Sequence, residues 1–320
     1  MINRKCLVET LLSRPSVIEF FTSVSFLTIA VYLSSVTAML MGVAFLSLFE
    51  RKMMGVVQYR LGPNKVSNLH GVIQPFSDAV KLASKQAPIP SSGEGVLYGV
   101  SPVIMCMIYL VAWCIPLTHV CQTSKSLVIL LALLSCSALW QAISGWAANS
   151  AYSSIGSVRA IAQAISFEIV VSVSMLTFIF LSMKGASNEG SSDSSFWLGG
   201  LNMVAASLLL LGFLAESGRG PFDLPEGESE LVGGYLVDYG GGLYKLIFLA
   251  ENLACLLIGG VITFVCFPPL SCWKCLAVMT LVILIRSSMP RISFRSMMPL
   301  VWVTMLPLLI SAMATSMLTT

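Results

Sequence analysis

Four glutamates stand where apolar sequence makes charge expensive. Glu168 lies in ISFEIVVSVSM and Glu251 in IFLAENLACLL, with Lys245 a little under two turns before it, while Glu216 and Glu50 close two further apolar runs. A charge near the centre of a bilayer costs at least about 2.5–3.5 kcal/mol on insertion scales. An acid kept there either holds a static polar contact between helices or takes up and releases protons, and proton relay is the chemistry these positions suit. For Glu50 and Glu216, at the ends of their runs, interfacial snorkelling is the plain alternative. A second acidic group, Asp223, Glu226, Glu228, Glu230 and Asp238, gathers in one loop with Arg219. Glu226 and Glu230 are four apart and would share a helical face, with Glu228 pointing elsewhere. The ordinary reading of that cluster is a solvated loop. Pro221 and Pro225 interrupt its approach, so the loop is expected to fold back rather than extend the helix before it, and irregular backbone near a membrane is tolerated only under protein or water.

The elements that carry these acids follow from composition. Asp, Glu, Lys and Arg make up 10% of the 320 residues, against about 25% in soluble globular domains, and the mean hydropathy is +0.87. So few charges cannot coat a soluble particle of this size; they exclude disorder, nucleic-acid binding and a disulfide-rich secreted scaffold. The chain reads as an all-α polytopic membrane protein, a single membrane domain over 1–320. Apolar windows of about 20 residues, the length a bilayer core demands, fall near 20–48, 97–119, 126–148, 161–183, 196–217, 243–266, 272–289 and 297–317. These eight runs are continuous rather than alternating, which favours helices over a barrel. The first is overlong and is expected to tilt or project; the seventh is short. No internal repeat is evident, which counts against an inverted-repeat transporter.

Lys and Arg placement sets the orientation. The odd-numbered loops hold Arg51, Lys52, Arg60, Lys65, Lys81, Lys85, Arg159, Arg219, Arg286, Arg291 and Arg295, the even-numbered ones Lys125, Lys184 and Lys274. The odd loops should face the cytoplasm, or the matrix in a mitochondrion, although Arg4, Lys5 and Arg14 argue the other way. Two odd loops are long, 50–96 and 217–242. Within the first, Val72 to Gln86 is two-faced: Ile73, Phe76, Val80 and Ala83 against Gln74, Ser77, Asp78, Lys81 and Lys85, the pattern of an amphipathic helix lying along the interface. The nine Cys are scattered, mostly in apolar runs, and read as small buried hydrophobes. The single C-x-x-C of Cys272 and Cys275, with no second pair or nearby His, is weak as a metal site, and no metal is expected. No removable signal peptide is read at the N-terminus.

Five motifs then appear in order: ERKMMGVVQYRLGPNKV (50–66), QPFSDAVKLASK (74–85), GWAANSAYSSIGSVRAIAQAISFE (145–168), AESGRGPFDLPEGESELVGGY (215–235) and IRSSMPR (285–291). Together they closely resemble the subunit 1 family of respiratory complex I, the proton-pumping NADH:ubiquinone oxidoreductase, over roughly residues 45–310. The E-G-E-S-E-L-V form is closer to mitochondrial than to bacterial members, which implies the mitochondrial inner membrane with odd loops facing the matrix. The resemblance implies a heel subunit joining the hydrophilic arm to the membrane arm. It implies ubiquinone as substrate, membrane lipids and other subunits as partners, and no redox centre of its own, with FMN and iron–sulfur clusters in partner subunits. By motif match, Glu50, Arg51, Arg60, Phe76 and Asp78 would line or support the quinone tunnel. Arg219, Asp223, Glu226, Glu228 and Glu230 would form the coupling loop. Glu168, Glu216 and Glu251 would continue a proton path into the membrane, with Arg159, Arg286 and Arg291 as charge partners.

Several positions depart from the family pattern. Asn252 stands where many members have Tyr, Leu61 replaces a common Lys, Gln86 replaces a usual Glu, and Arg295 reverses the charge of a common Asp. Residues before Glu19 have no family counterpart. The competing readings are an ion or proton transporter, a structural scaffold for peripheral subunits, and the heel subunit of a related membrane-bound dehydrogenase or hydrogenase.

Overall fold

The computed structural model describes residues 15–65, 71–86, 88, 90, 93–117, 124–185, 192–266 and 272–318, and side chains for a subset that leaves out 15–29, 115–126, 179, 181–202, 228–229, 267–272, 316 and 318. Two units are distinguished, 1–42 and 43–320. In the first, Pro15–Gly42 is uninterrupted helix; everything below concerns the second.

Every regular element among the described residues is helical. The long helix α1 (Pro15–Val57) is followed by the short α2 (Gln74–Ser84), then α3 (Gly95–Leu117), α4 (Ser124–Ala148), α5 (Ala151–Gly185) and α6 (Ser192–Glu216). After the acidic loop, which holds a single turn α7 (Glu228–Leu231) and a 3-10 turn at Gly234–Leu236, come α8 (Gly241–Cys266), α9 (Cys272–Ser288), α10 (Phe294–Pro299) and α11 (Leu306–Leu318). Each of the eight apolar windows overlies a helix. Among the described residues, six stretches, 30–57, 95–114, 127–148, 151–178, 241–266 and 294–315, are long and apolar enough to cross a membrane, and Met203–Glu216 is a shorter apolar helix.

α5 begins ten residues before its apolar window. Its first three turns, AYSSIGSVRA, are too polar for a hydropathy window yet contain no Pro to stop a helix. Between α10 and α11 the turns widen to a π-helix over Leu300–Met305. Pro307 lies just beyond: its ring collides with the carbonyl four residues back and it has no N–H to give, so the turn before it opens.

α5 is the central helix, packing on α4, α6 and α11, while α8 packs on α2, α3, α6 and α9. The acidic loop is pinned at both ends by aromatic side chains. At its start, Phe222 and Leu224 are buried with Phe167, Val170, Leu214 and Met297, the Phe167 and Phe222 rings meeting edge-on at 5.0 Å. At its end, Tyr235 and Tyr239 are buried with Tyr98, Ala147 and Ile247, and Tyr98 stacks on Tyr239 at 4.2 Å. Burying a Phe or Leu side chain is worth about 1.5–3 kcal/mol, so these anchors hold the two ends of the acidic loop against the helices.

Candidate functional site

The loop leaves α6 at Glu216 and is stapled at once. The buried amide of Gln163 on α5 donates to the carbonyls of Ala215 (2.6 Å) and Phe222 (2.7 Å). Two glycines let the far end sink in. Gly234 has φ +55°, and a Cβ there would fall 1.7 Å from the Pro225 carbonyl oxygen. A Cβ on Gly156 of α5 would sit 2.7 Å from the Tyr235 amide nitrogen. The close approach seats the Tyr235 hydroxyl beside α8, where it donates to Glu251.

Three groups of charge result. In the first, Nη1 of Arg219 grips both oxygens of Glu50 at 2.9 and 2.7 Å, and its Nη2 donates to Oδ1 of Asn252 at 2.8 Å. Arg286 approaches the same Glu50 carboxylate at 3.3 Å. The Arg219 and Glu50 side chains are 10% and 12% exposed, so this is a buried pair with its hydrogen bonds filled. Glu50 therefore does not snorkel; it binds the loop arginine across the fold.

In the second group, Glu251 accepts from Tyr235 and is hydrogen-bonded to Glu226. Burial first, and then the charges of Glu251 and Asp223, push the Glu226 carboxyl up to about 9, against the opposing pull of Arg219. Glu226 is thus protonated at neutral pH and is the donor in its bond to Glu251. Burial, reinforced by the two glutamates, also raises the Tyr235 hydroxyl well above its usual range, so it keeps its proton. Glu216 lies close enough to Glu168 for their charges to interact.

In the third group, at the surface, Arg291 pairs with Asp223 at 2.7 Å and Arg159 pairs with Glu230. Glu226 and Glu230 do not share a helical face. Gly227, with φ +41°, turns the chain between them and α7 starts only at Glu228, so Glu226 points inward while Glu230 is 53% exposed. The Glu228 side chain lies outside the described residues. Asp238 closes the loop, accepting from Ser150 at 2.5 Å, while its carbonyl accepts from Tyr98 at 2.6 Å.

Beside α1 a cavity of about 480 Å³ is lined by Arg51, Arg60, Met54, Leu61, Lys65 and Gln74, among others. Arg51 pairs with Asp78 of α2 at 2.9 Å, and Phe76 meets Phe45 edge-on at 6.4 Å. Glu50 faces the other way, toward Arg219, so it does not join Arg51 and Arg60. The remaining polar wall comes from the turn after α1, where Arg60 donates to Gln58 at 2.7 Å. The apolar face of α2 is open, with Phe76 and Val80 exposed.

A family model described as NADH dehydrogenase matches residues 30–317. The chain belongs to the NADH dehydrogenase family. It is similar to proteins named NADH-ubiquinone oxidoreductase chain 1 from Paracentrotus lividus (35% identical over 302 residues, 89% of this chain and 93% of that protein), Tetraodon nigroviridis (35%, 86% and 90%) and Anopheles quadrimaculatus (36%, 85% and 89%). In this NADH dehydrogenase family member, three residues that sequence reasoning did not place in the site complete it: Gln163, Tyr235 and Asn252 as a ligand of Arg219. Gln163 and Tyr235 lie inside the long motifs at 145–168 and 215–235, but uncharged side chains in a motif give no sign of which neighbour they meet. Asn252 stood out only as a departure.

Proposed function

We propose that this chain is a membrane subunit of a mitochondrial, proton-translocating NADH:ubiquinone oxidoreductase, and that it links quinone chemistry at its α1 side to proton movement through buried carboxylates. Relatives named NADH-ubiquinone oxidoreductase chain 1 support the assembly and the substrate. The observation that carries the coupling part is the contact of two clusters through Arg219. On one side Arg219 holds Glu50, which neighbours Arg51 of the large cavity; on the other its charge acts on the Glu226–Glu251 pair.

The quinone headgroup enters the cavity beside Arg51 and Arg60, where cationic N–H groups steady the developing negative charge as electrons arrive from a partner subunit. A change at Glu50 or Arg51 alters the grip on Arg219, and Arg219 alters the proton affinity of the Glu226–Glu251 pair. Moving one proton against about 150 mV takes roughly 3.5 kcal/mol. A change of about 2.5 in the pKa of one carboxyl supplies that, within reach of an arginine that moves relative to a buried acid. Protons then pass between the loop pair and Glu216 and Glu168 within the membrane. FMN and iron–sulfur chemistry belongs to partner subunits of the hydrophilic arm, and α2, with its apolar face open, lies along the lipid interface.

Photoaffinity labelling of the native complex with a short-tailed azido-quinone, followed by peptide mapping, tests this reading. Labels within 45–85 or 216–252 that excess quinone competes away are the expected result. No competed label in a demonstrably active preparation would leave the chain as scaffold or proton path and put the quinone site in its neighbours.

A further inference from the structure

Asn252 is wholly buried on α8, and both ends of its amide are committed. Nδ2 donates to the carbonyl of Phe248, one turn back, at 2.7 Å, and Oδ1 accepts from Nη2 of Arg219 at 2.8 Å. The first bond decides the second. With its nitrogen held by the helix, the amide has only its oxygen to offer the loop, so Arg219 meets an acceptor of fixed position. Arg219 itself stands on irregular backbone. It follows Gly218, which has φ +62° and whose Cβ would meet nothing within 4 Å, so the direction of its side chain comes from the partners it grips.

Those partners compete. The Arg219 charge acts on Glu50 on one side and on Glu226 and Glu251 on the other. Arg286 already gives Glu50 a second cation at 3.3 Å, so charge alone would leave Arg219 free to turn to the glutamate pair. A guanidinium is not a point charge, however, but a planar fork whose N–H directions are fixed relative to one another. An acceptor on Nη2 therefore orients the whole plane, and with Asn252 Oδ1 in that place Nη1 falls on both oxygens of Glu50.

We infer that Asn252 is a positioning residue that aims the Arg219 guanidinium at Glu50 and so keeps the loop arginine on the α1 side of the fold. It touches no substrate and carries no proton; it acts through Arg219. Its use in the reaction rests on the proposed coupling function, whereas the aiming itself does not. The assignment is particular to this chain, where Asn stands in a position that many family members fill with Tyr. Without the Oδ1 acceptor the fork is free to turn toward Glu226. The charged and titratable groups that face Glu226 are Glu251 of α8 and Asp223, Arg219 and Tyr235 of the loop, and Arg219 is the one that favours the ionised carboxylate. Bringing it closer makes Glu226 lose its proton at lower pH, an opposite charge at contact lowering a carboxyl by about 1–3 pH units.

Limited proteolysis of the 217–240 loop in the intact complex, titrated with pH, reads this without turnover. In Asn252→Leu the midpoint of rising cleavage is expected to move down by about 1 pH unit or more. Asn252→Asp keeps an acceptor oxygen toward Arg219 and adds negative charge, so its midpoint should not move down. A residue that merely packs would raise cleavage at every pH and leave the midpoint in place. That result in the Leu variant, or a downward move in the Asp variant, would overturn the inference. A cryo-EM map of the unsubstituted complex decides the matter if neither variant assembles. The guanidinium is expected within about 3 Å of both the Asn252 amide and the Glu50 carboxylate, and a guanidinium turned to Glu226 or Glu251 with Asn252 in place would overturn the inference. Neither measurement uses quinone, so the absence of a competed quinone label would remove the coupling function and leave this assignment standing.

Discussion

Arg219→Met tests the electrostatic account at the buried ion pair of the loop. Two Arg–carboxylate pairs in this chain have similar N···O distances, Arg219–Glu50 at 2.7 Å and Arg51–Asp78 at 2.9 Å, although Arg219 reaches both Glu50 oxygens. They differ in exposure, 10% and 12% for the first pair against 46% and 42% for the second. An exposed pair contributes about 0–1 kcal/mol. Breaking a buried one from one side costs about 3–5 kcal/mol, because the charge left behind has lost its counter-ion. In Arg219→Met, Glu50 keeps its 3.3 Å contact with Arg286, which places the expected loss at the lower end, about 3 kcal/mol. For a large assembly that unfolds irreversibly, stability is read as a rate of inactivation. At tenfold per 1.4 kcal/mol, the full loss would speed thermal inactivation of quinone reductase activity by about a hundredfold, against less than about fivefold for Arg51→Met. Arg219→Lys should recover little, since one ammonium cannot grip both Glu50 oxygens and Asn252 together. The assay is the activity half-life in isolated membranes, with native gels to confirm assembly. If Arg219→Met inactivates no faster than Arg51→Met, the buried-pair reasoning is wrong.

Three further outcomes follow from the same geometry. Glu226 has a folded pKa of about 9 against an ordinary 4.5, so the stability it contributes is complete below about 4.5 and is lost as pH rises through about 9; limited proteolysis of the 217–240 loop across that window should show rising cleavage that Glu226→Gln flattens. Asn252→Leu leaves Arg219 Nη2 without its 2.8 Å acceptor, at a cost of about 1–3 kcal/mol, and should lower the inactivation temperature of the assembled complex; an unchanged temperature would mean that Asn252 does not hold the guanidinium. Gly156→Ala pushes the Tyr235 segment off α5, and Gly234→Ala forces it off the Pro225–Glu226 backbone; each should abolish accumulation of assembled complex on native gels, whereas Gly242→Ala, whose Cβ meets nothing within 4 Å, should be silent.

The helices were legible in the sequence because a bilayer demands about 20 apolar residues at a time, and each of the eight windows overlies one. Where the window failed, at the first turns of α5, the reason is that helix formation needs no hydrophobicity once neighbours cover the polar side chains. The acids were legible too, since charge within apolar sequence is conspicuous. Their partners were not. Glu50 and Arg219 are 169 residues apart, and nothing local ties them together. Spacing also misled at Glu226 and Glu230: a separation of four means a shared face only inside a helix, and the left-handed Gly227 prevents one. Gln163 and Tyr235 carry no charge and sit in no unusual spacing; their role depends on which carbonyls and carboxylates the fold brings to them.

Protons translocated per electron pair in a Glu168→Gln, Glu251→Gln double variant of the intact complex test the central claim most directly. The account predicts that NADH-driven quinone reduction continues under uncoupler while proton translocation falls sharply. Normal translocation stoichiometry in that variant would contradict it.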